Sequence, residues 1–256
     1  MSVSRNEKLK NLLDTWQPHT VVTSVQLNAL KISPQHVQNY LKNGWMDAVA
    51  AGTFKRPRDT LTWTGALHSL QTQLVLPVYV GAMSALAADG ASHYVRIGHE
   101  TVFLFSAPGV ALPAWFKSYQ WGMGVSHTQT KLLPLDLGMR DQYFGGFFLR
   151  ASAPERAILE CLHLAPAKVD LVECFQVVEG LLSLRPKLMQ ELLEACNSIK
   201  VKRLFLFMAD KAKLPVMQHL DLGKISLGSG NRAVVAEGAY NAKYRMMLPK
   251  DLVSHA

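Results

Sequence analysis

Apolar residues at Leu9, Leu12, Leu13 and Trp16 recur at helical spacing, so the chain opens on an amphipathic helix over residues 4–16. Ser4 with Glu7 three positions later is a capping signature for its start, and Pro18 ends it. A second short helix is predicted over 24–31, with Val25, Leu27 and Leu30 apolar and Thr23 or Ser24 at its start. Ser33-Pro34 is an N-cap followed by a first-position proline, and Gly44 is the matching stop, which sets a third helix at 34–43. Trp45–Ala48 and Thr53–Lys55 then read as two strands with Ala50-Ala51-Gly52 at the turn. Helices followed by a two-stranded wing are the order of a winged helix-turn-helix, whose second helix enters the major groove of DNA.

Beyond residue 60 the periodicity changes twice. Helical spacing holds at 62–74 and 81–89, the latter closed by Gly90. From His93 short β-like runs at 93–97, 101–106, 125–130 and 146–150 are separated by Gly and Pro. Helices return at 153–164, 170–184, 186–197 and 200–213, and strands at 232–236 and 244–249 close the chain. The predicted class is α+β: a winged helix-turn-helix head over 1–93, with its core at 4–60, then a mixed α/β domain over 94–256 that includes a helical-bundle portion.

At about 100° per residue, helix 34–43 places Val37, Tyr40 and Leu41 on one side and Gln35, Gln38, Asn39 and Lys42 on the other. Gln and Asn can bond adenine bidentately, and Lys reaches guanine or phosphate. His36 flanks this face as a phosphate contact, and Lys55, Arg56 and Arg58 sit where a wing lies along the backbone. The alternative reading is a three-helix module used for protein contacts, its polar face merely solvated.

Charge sharpens the picture. The formal net charge is +8, and residues 1–60 carry eight Lys/Arg against four Asp/Glu, an excess of four. A basic balance of this kind points to an acidic partner such as nucleic acid. A second basic group, Lys200, Lys202, Arg203, Lys211 and Lys213, surrounds the apolar run at 204–209; it reads either as a buried helix with solvated ends or as a basic surface for a partner. No run reaches the roughly 18 apolar residues of a spanning helix. With no apolar N-terminal stretch and three unpaired cysteines (Cys161, Cys174 and Cys196), the expectation is a cytoplasmic protein with reduced, buried thiols and no membrane partner.

Catalytic and metal signals are weak. The histidines show no ligand spacing, so no metal and no cofactor is expected. Cys161 and His163 lie two apart on a helix and diverge, reading as core residues. Asp136 and Asp141 read as loop caps rather than a carboxylate pair, and Gly228-Ser229-Gly230 lacks the setting of a phosphate loop. Nothing rises to a catalytic constellation.

The ordered set Trp63, Gly65-Ala66-Leu67, Gly81, Ala85-Leu86, Ala153-Pro154-Glu155-Arg156-Ala157 and Lys200-Val201-Lys202-Arg203-Leu204-Phe205 resembles the antitoxin and regulator family of the abortive-infection E systems, AbiEi-like. The resemblance runs from about residue 5 to 249. It implies a non-enzymatic, two-part protein. An N-terminal winged helix-turn-helix would repress its own operon by binding promoter repeats, and a C-terminal domain would neutralise a nucleotidyltransferase-like toxin, with or without a stable complex. Where relatives tend to carry a basic turn before the aromatic of the wing, this chain has Asp47-Ala48-Val49-Ala50-Ala51-Gly52, which leaves phosphate contact to Lys55, Arg56 and Arg58. The alternatives are a stand-alone winged-helix regulator or a protein-interaction module without antitoxin activity.

Overall fold

The structure, a computed structural model, describes residues 5–88 and 101–254. The described residues of 1–78, with 110–124 and 142–149, form one compact unit, and those of 79–109, 125–141 and 150–256 form a second. The expected strand at 93–97, the Ser4 cap and the expected boundary at 93 all lie outside the described residues.

The first unit begins with α1 (Arg5–Thr15), β1 (Val21–Thr23), α2 (Ser24–Ala29), α3 (Pro34–Lys42), β2 (Asp47–Ala50), β3 (Thr53–Lys55) and α4 (Trp63–Gln73). The strands form one antiparallel sheet in the order β1-β3-β2, with Phe54 opposite both Val22 and Ala48. This is a winged helix-turn-helix. Its core joins Leu12 and Trp16 of α1, Leu27 of α2, Val37 and Tyr40 of α3, and Met46 and Phe54 of the wing. Thr23 caps α2 by accepting from the Gln26 N–H, and Ser33 caps α3 by accepting from the His36 N–H.

Two features escaped the periodicity. β1 is three residues long, too short to show a pattern, and its edge is covered by α4 side chains: Ser69 Oγ accepts from the Val21 N–H at 3.2 Å. Gln73 accepts from the Thr23 N–H and donates to the Val21 carbonyl, both at 2.8 Å. The second is the start of β2, which comes at Asp47 rather than Trp45. The Trp45 N–H still donates to the Tyr40 carbonyl at 2.9 Å around Gly44 at φ +67°, so the helix-closing turn holds the chain until Met46.

The chain continues through β4 (Tyr79–Val80), α5 (Ala82–Ala87), β5 (Thr101–Ser106), α6 (Ala114–Ser118), β6 (Gly124–Gln129), β7 (Met139–Phe144) and β8 (Phe147–Ser152). A five-stranded sheet runs in the order β6-β5-β4-β8-β7, with β4 antiparallel to β5 and parallel to β8. β7 was not expected because Gln142 occupies an inward position and breaks its apolar alternation. Asp141 therefore lies on a strand, 3.9 Å from Arg150, and not in a loop cap.

In the second unit α7 (Pro154–Leu164), α8 (Leu171–Gly180), α9 (Pro186–Ala195) and α10 (Ile199–Lys211) form the helical portion. α7 is buried from Glu155 to Leu162 and α10 from Val201 to Ala209, which matches helices surrounded on all sides. Their core includes Leu159, Leu162, Leu204, Phe205 and Met208. β9 (Arg232–Ala233), β10 (Ala239–Asn241) and β11 (Met246–Leu248) make a small sheet in the order β10-β11-β9, three strands where two were expected, and α11 (Lys250–Ser254) follows.

Candidate nucleic-acid interface

The polar face of α3 is assembled as its spacing predicts. Val37 and Tyr40 are buried, Leu41 packs against the same core, Gln35, Gln38 and Lys42 are exposed, and Asn39 is half-exposed. His36 has a second task. Its Nδ1 pairs with Ser33 Oγ at 2.7 Å and its ring lies 6.2 Å from that of Tyr40, so the side chain is part of the helix start. Trp45, exposed and 5.8 Å from Tyr40, extends the surface at the far end of α3; an aromatic directly after the Gly44 stop was the signal for it.

The wing bases divide. Lys55 forms an ion pair with Asp47 at 3.3 Å and donates to the Asp59 carbonyl at 2.8 Å. Arg56 Nη1 donates to the Trp16 carbonyl at 2.9 Å. Both side chains brace the head from within. Arg58 is exposed, sits at φ +60°, and carries no ion pair among the described residues. The wing turn itself is tied to the start of α2: the Ser24 N–H donates to the Gly52 carbonyl at 2.7 Å, and Gly52 adopts φ +70°.

The second basic group is only partly at the surface. Lys202 and Arg203 are only 4% and 2% exposed. Lys200 Nζ donates to the His163 and Ala165 carbonyls at 3.1 and 2.6 Å, where a cation suits the end of α7. Lys202 donates to the Ser226 carbonyl at 3.1 Å and Lys211 to that of Leu252. Burial lowers the pKa of Lys200 and of Lys211. The expectation of a partner surface does not hold for Lys202 and Arg203, which are buried, while Lys200 and Lys211 are half-exposed with their amines on backbone carbonyls.

The densest cluster of ionisable groups among the described residues is a closed one. Arg156 Nε donates to Glu160 Oε1 at 2.9 Å, its Nη1 to the Pro134 and Leu137 carbonyls at 2.5 and 2.7 Å, and its Nη2 to Tyr79 Oη at 2.8 Å. Glu160 also accepts from Tyr79 Oη, from Ser152 Oγ and from the Ala82 N–H at 3.0, 2.8 and 3.0 Å. Burial pushes the Glu160 carboxyl up against the opposing pull of Arg156, and burial beside Glu160 pushes the Tyr79 hydroxyl up. Every polar atom of the Arg156 and Glu160 heads is matched, so the cluster orders the core of the second unit. Cys161 is fully buried and its thiol is raised well above the usual range by burial, which makes it a core residue, as the spacing implied. Burial, then Lys200 and Lys168, lowers the pKa of His163. Among the described residues no group of three His, Cys, Asp or Glu side chains is placed to hold a metal ion, and no helix is long and apolar enough to cross a membrane.

The strings that carry the family resemblance decode as scaffold. A Cβ on Gly65 would lie 2.1 Å from the His19 carbonyl oxygen, and one on Gly81 would lie 2.4 Å from Glu160 Oε2. Glu155 and Arg156 open α7, and each anchors an ion pair of the second unit, to Arg185 and to Glu160.

Comparison with known proteins agrees with this geometry. Residues 5–97 match the family described as transcriptional regulator, AbiEi antitoxin N-terminal domain, and residues 99–249 match transcriptional regulator, AbiEi antitoxin, type IV TA system. None of the curated proteins matches the chain. A solved structure, the RV2827C protein from Mycobacterium tuberculosis, is similar over 93% of this chain and 88% of its own, at 16% identity and a TM-score of 0.62, a likeness of fold. The chain belongs to the AbiEi antitoxin family of transcriptional regulators of type IV toxin–antitoxin systems.

Proposed function

We propose that this chain represses its own operon by binding inverted repeats in the promoter, and that its C-terminal part, residues 94–256, neutralises a nucleotidyltransferase-like toxin in the cytoplasm, with no catalytic activity of its own. The observation that carries the DNA reading is the exposed amide-and-lysine face of α3 on a winged head: Gln35, Gln38, Asn39 and Lys42, with Arg58 on the wing. Such a face offers bidentate donors and acceptors to base edges, and Lys42 and Arg58 supply charge to phosphates. Lys55 and Arg56 contribute by holding the wing in place. His36 contributes by fixing the first turn of α3.

A gel-shift titration of the chain against its upstream promoter tests the first half. Specific retention at moderate salt is expected, weakened by about 1–3 kcal/mol in each of Gln35→Ala and Asn39→Ala, where one base edge is no longer read. Retention no better than on scrambled duplex would defeat the DNA reading. For the second half, growth of cells expressing the neighbouring toxin is scored with and without this chain. Failure of the full-length chain to restore growth would remove the antitoxin assignment while leaving the repressor intact.

A further inference from the structure

The loop at 226–232 of the second unit combines three features that the regulatory reading leaves unused. Arg203 is 2% exposed, and its guanidinium gathers the loop's carbonyls from below. Nε donates to Leu227 at 2.9 Å, Nη2 to Gly228 at 3.1 Å, and Nη1 to Gly230 at 2.8 Å and to Arg245 at 3.2 Å. With the carbonyls drawn inward, the N–H groups of Gly228, Ser229, Gly230 and Asn231 have no hydrogen-bond partner among the described residues, and all four residues are exposed or half-exposed. Gly228 at φ +64° and Gly230 at φ +77° alternate with residues of negative φ. Alternation of φ sign is a feature of the αR–αL pairs that turn successive N–H groups toward one concavity, an anion-binding nest.

The second feature is charge without balance. Arg232 donates its backbone N–H to the Arg245 carbonyl at 2.9 Å, the same oxygen that Arg203 reaches, so three arginines meet at one peptide. The side chains of Arg232 and Arg245 are exposed, and neither is paired with a carboxylate among the described residues. Asp210, on the neighbouring α10, is taken up by Lys243 at 2.7 Å. Burial lowers the pKa of Arg203, and the nearby Arg232 and Arg245 lower it further, as expected where like charges crowd with no anion between them.

The third feature is an aromatic face. Tyr240 is 47% exposed, and its hydroxyl donates to Asn231 Oδ1 at 2.8 Å, which holds the ring beside the loop. We propose that the 228–232 loop, Arg232 and Arg245 form a binding site for the phosphate of a nucleotide, free or in a single RNA strand, with Tyr240 as the stacking face for its base. Guanidinium forks and free N–H groups match phosphate oxygens, and an exposed ring gives a base a sequence-tolerant platform.

Three probes are titrated into the full chain: uridine monophosphate and inorganic phosphate by calorimetry, and labelled decauridylate by fluorescence anisotropy. Saturable binding of uridine monophosphate or of decauridylate is expected, with inorganic phosphate weaker than the nucleotide. The paired substitution Arg232→Ala/Arg245→Ala is expected to weaken it at least about tenfold. For the strand it should also reduce the salt slope by about 0.7 for each phosphate that is no longer neutralised. Tyr240→Leu should remove the preference for the nucleotide over inorganic phosphate. Lys117→Ala, an exposed base on α6, should leave binding unchanged, and the melting curve of the paired variant should match that of the parent because both side chains are exposed. The proposal is overturned if neither nucleotide probe saturates at millimolar concentration, if the paired variant binds like the parent, or if inorganic phosphate binds as tightly as the nucleotide.

Discussion

Replacing Arg156 by Met keeps an unbranched stem and removes the cation from the most enclosed polar cluster among the described residues. Arg156 is 2% exposed and Glu160 1%. The substitution strips the Pro134 and Leu137 carbonyls of a donor and leaves the Glu160 carboxylate without its counter-charge. Removing one partner of a buried ion pair costs about 3–5 kcal/mol. At about 2–4 °C per kcal/mol for a chain of this size, Tm falls by about 6–20 °C at pH 7. The pH dependence separates this cause from loss of packing. Burial already raises the Glu160 pKa in the parent, and Arg156 restrains the rise. Without Arg156 the folded-state pKa climbs further, so the variant stays protonated over a window in which the parent is ionised. Across that window, which lies above the ordinary carboxylate pKa, the stability gap widens by about 1.4 kcal/mol per pH unit, so it never narrows as pH rises. Arg156→Met/Glu160→Leu removes both charges and recovers part of the loss. Urea titrations followed by far-UV circular dichroism at pH 5, 6 and 7 measure the gap. A loss below about 1 kcal/mol at pH 7, or a gap that narrows from pH 5 to pH 7, would refute the account.

Arg185→Ala gives a gap of the same sign in a lower pH window, because the Glu155 pKa is lowered where that of Glu160 is raised. Burial acts to raise the Glu155 pKa, but hydrogen bonds from Arg185 Nε, Nη2 and N at 2.9, 2.9 and 2.8 Å outweigh it and leave the pKa lowered. That stabilisation is present above the ordinary carboxylate pKa and is lost as pH falls through the lowered one; with Arg185 62% exposed, about 1 kcal/mol is expected to disappear in the variant at pH 7 and nothing in strong acid, by the same titrations. Gly65→Ala drives a methyl into the His19 carbonyl at 2.1 Å and should lower the melting point of the head, read by the fluorescence of its tryptophans, by several degrees, about 1–3 kcal/mol. Arg58→Ala and Arg56→Ala, both tested on promoter DNA, should part company: the first weakens all duplexes and flattens the salt slope by about 0.9, while the second mainly lowers thermal stability by cutting the bond to the Trp16 carbonyl. Equal salt slopes in parent and Arg58→Ala would count against the wing reading.

The head was largely legible because its signals are local. Ser33-Pro34, Gly44 and the spacing of Val37, Tyr40 and Leu41 fix α3 and its faces without reference to anything distant. What escaped there depended on tertiary partners. The three residues of β1 are a strand because β3 pairs with them and α4 covers their edge. The wing bases look alike in sequence, yet Asp47, the Asp59 carbonyl and the Trp16 carbonyl claim two of the three. The same blindness affected Lys200, Lys202, Arg203 and Lys211. A run of bases beside an apolar segment reads as a surface, because the carbonyls that bind them belong to residues about 24 to 42 positions away in the chain. β7 was lost for a related reason, since Gln142 sits where an apolar residue would have revealed the alternation.

Charged and glycine positions of this chain therefore sort by what they touch rather than by type. Arg156 and Glu160 are wholly internal, and Gly65 and Gly81 sit where no side chain fits. Substitution at these positions disturbs buried packing or a buried ion pair, whatever the surface of the protein meets. Gln35, Gln38, Lys42 and Arg58 lie on the surface of the head and take no part in its core, so the fold does not constrain their identity. Arg203 joins the two groups: it is buried like a scaffold residue, but three of its four hydrogen bonds hold the carbonyls of an exposed loop, whose N–H groups at 228–231 have no partner among the described residues. A residue in that position preserves the shape of a surface without being part of it, so the exposed Arg232, Arg245 and Tyr240 set what the surface binds while Arg203 sets that there is a surface to bind with.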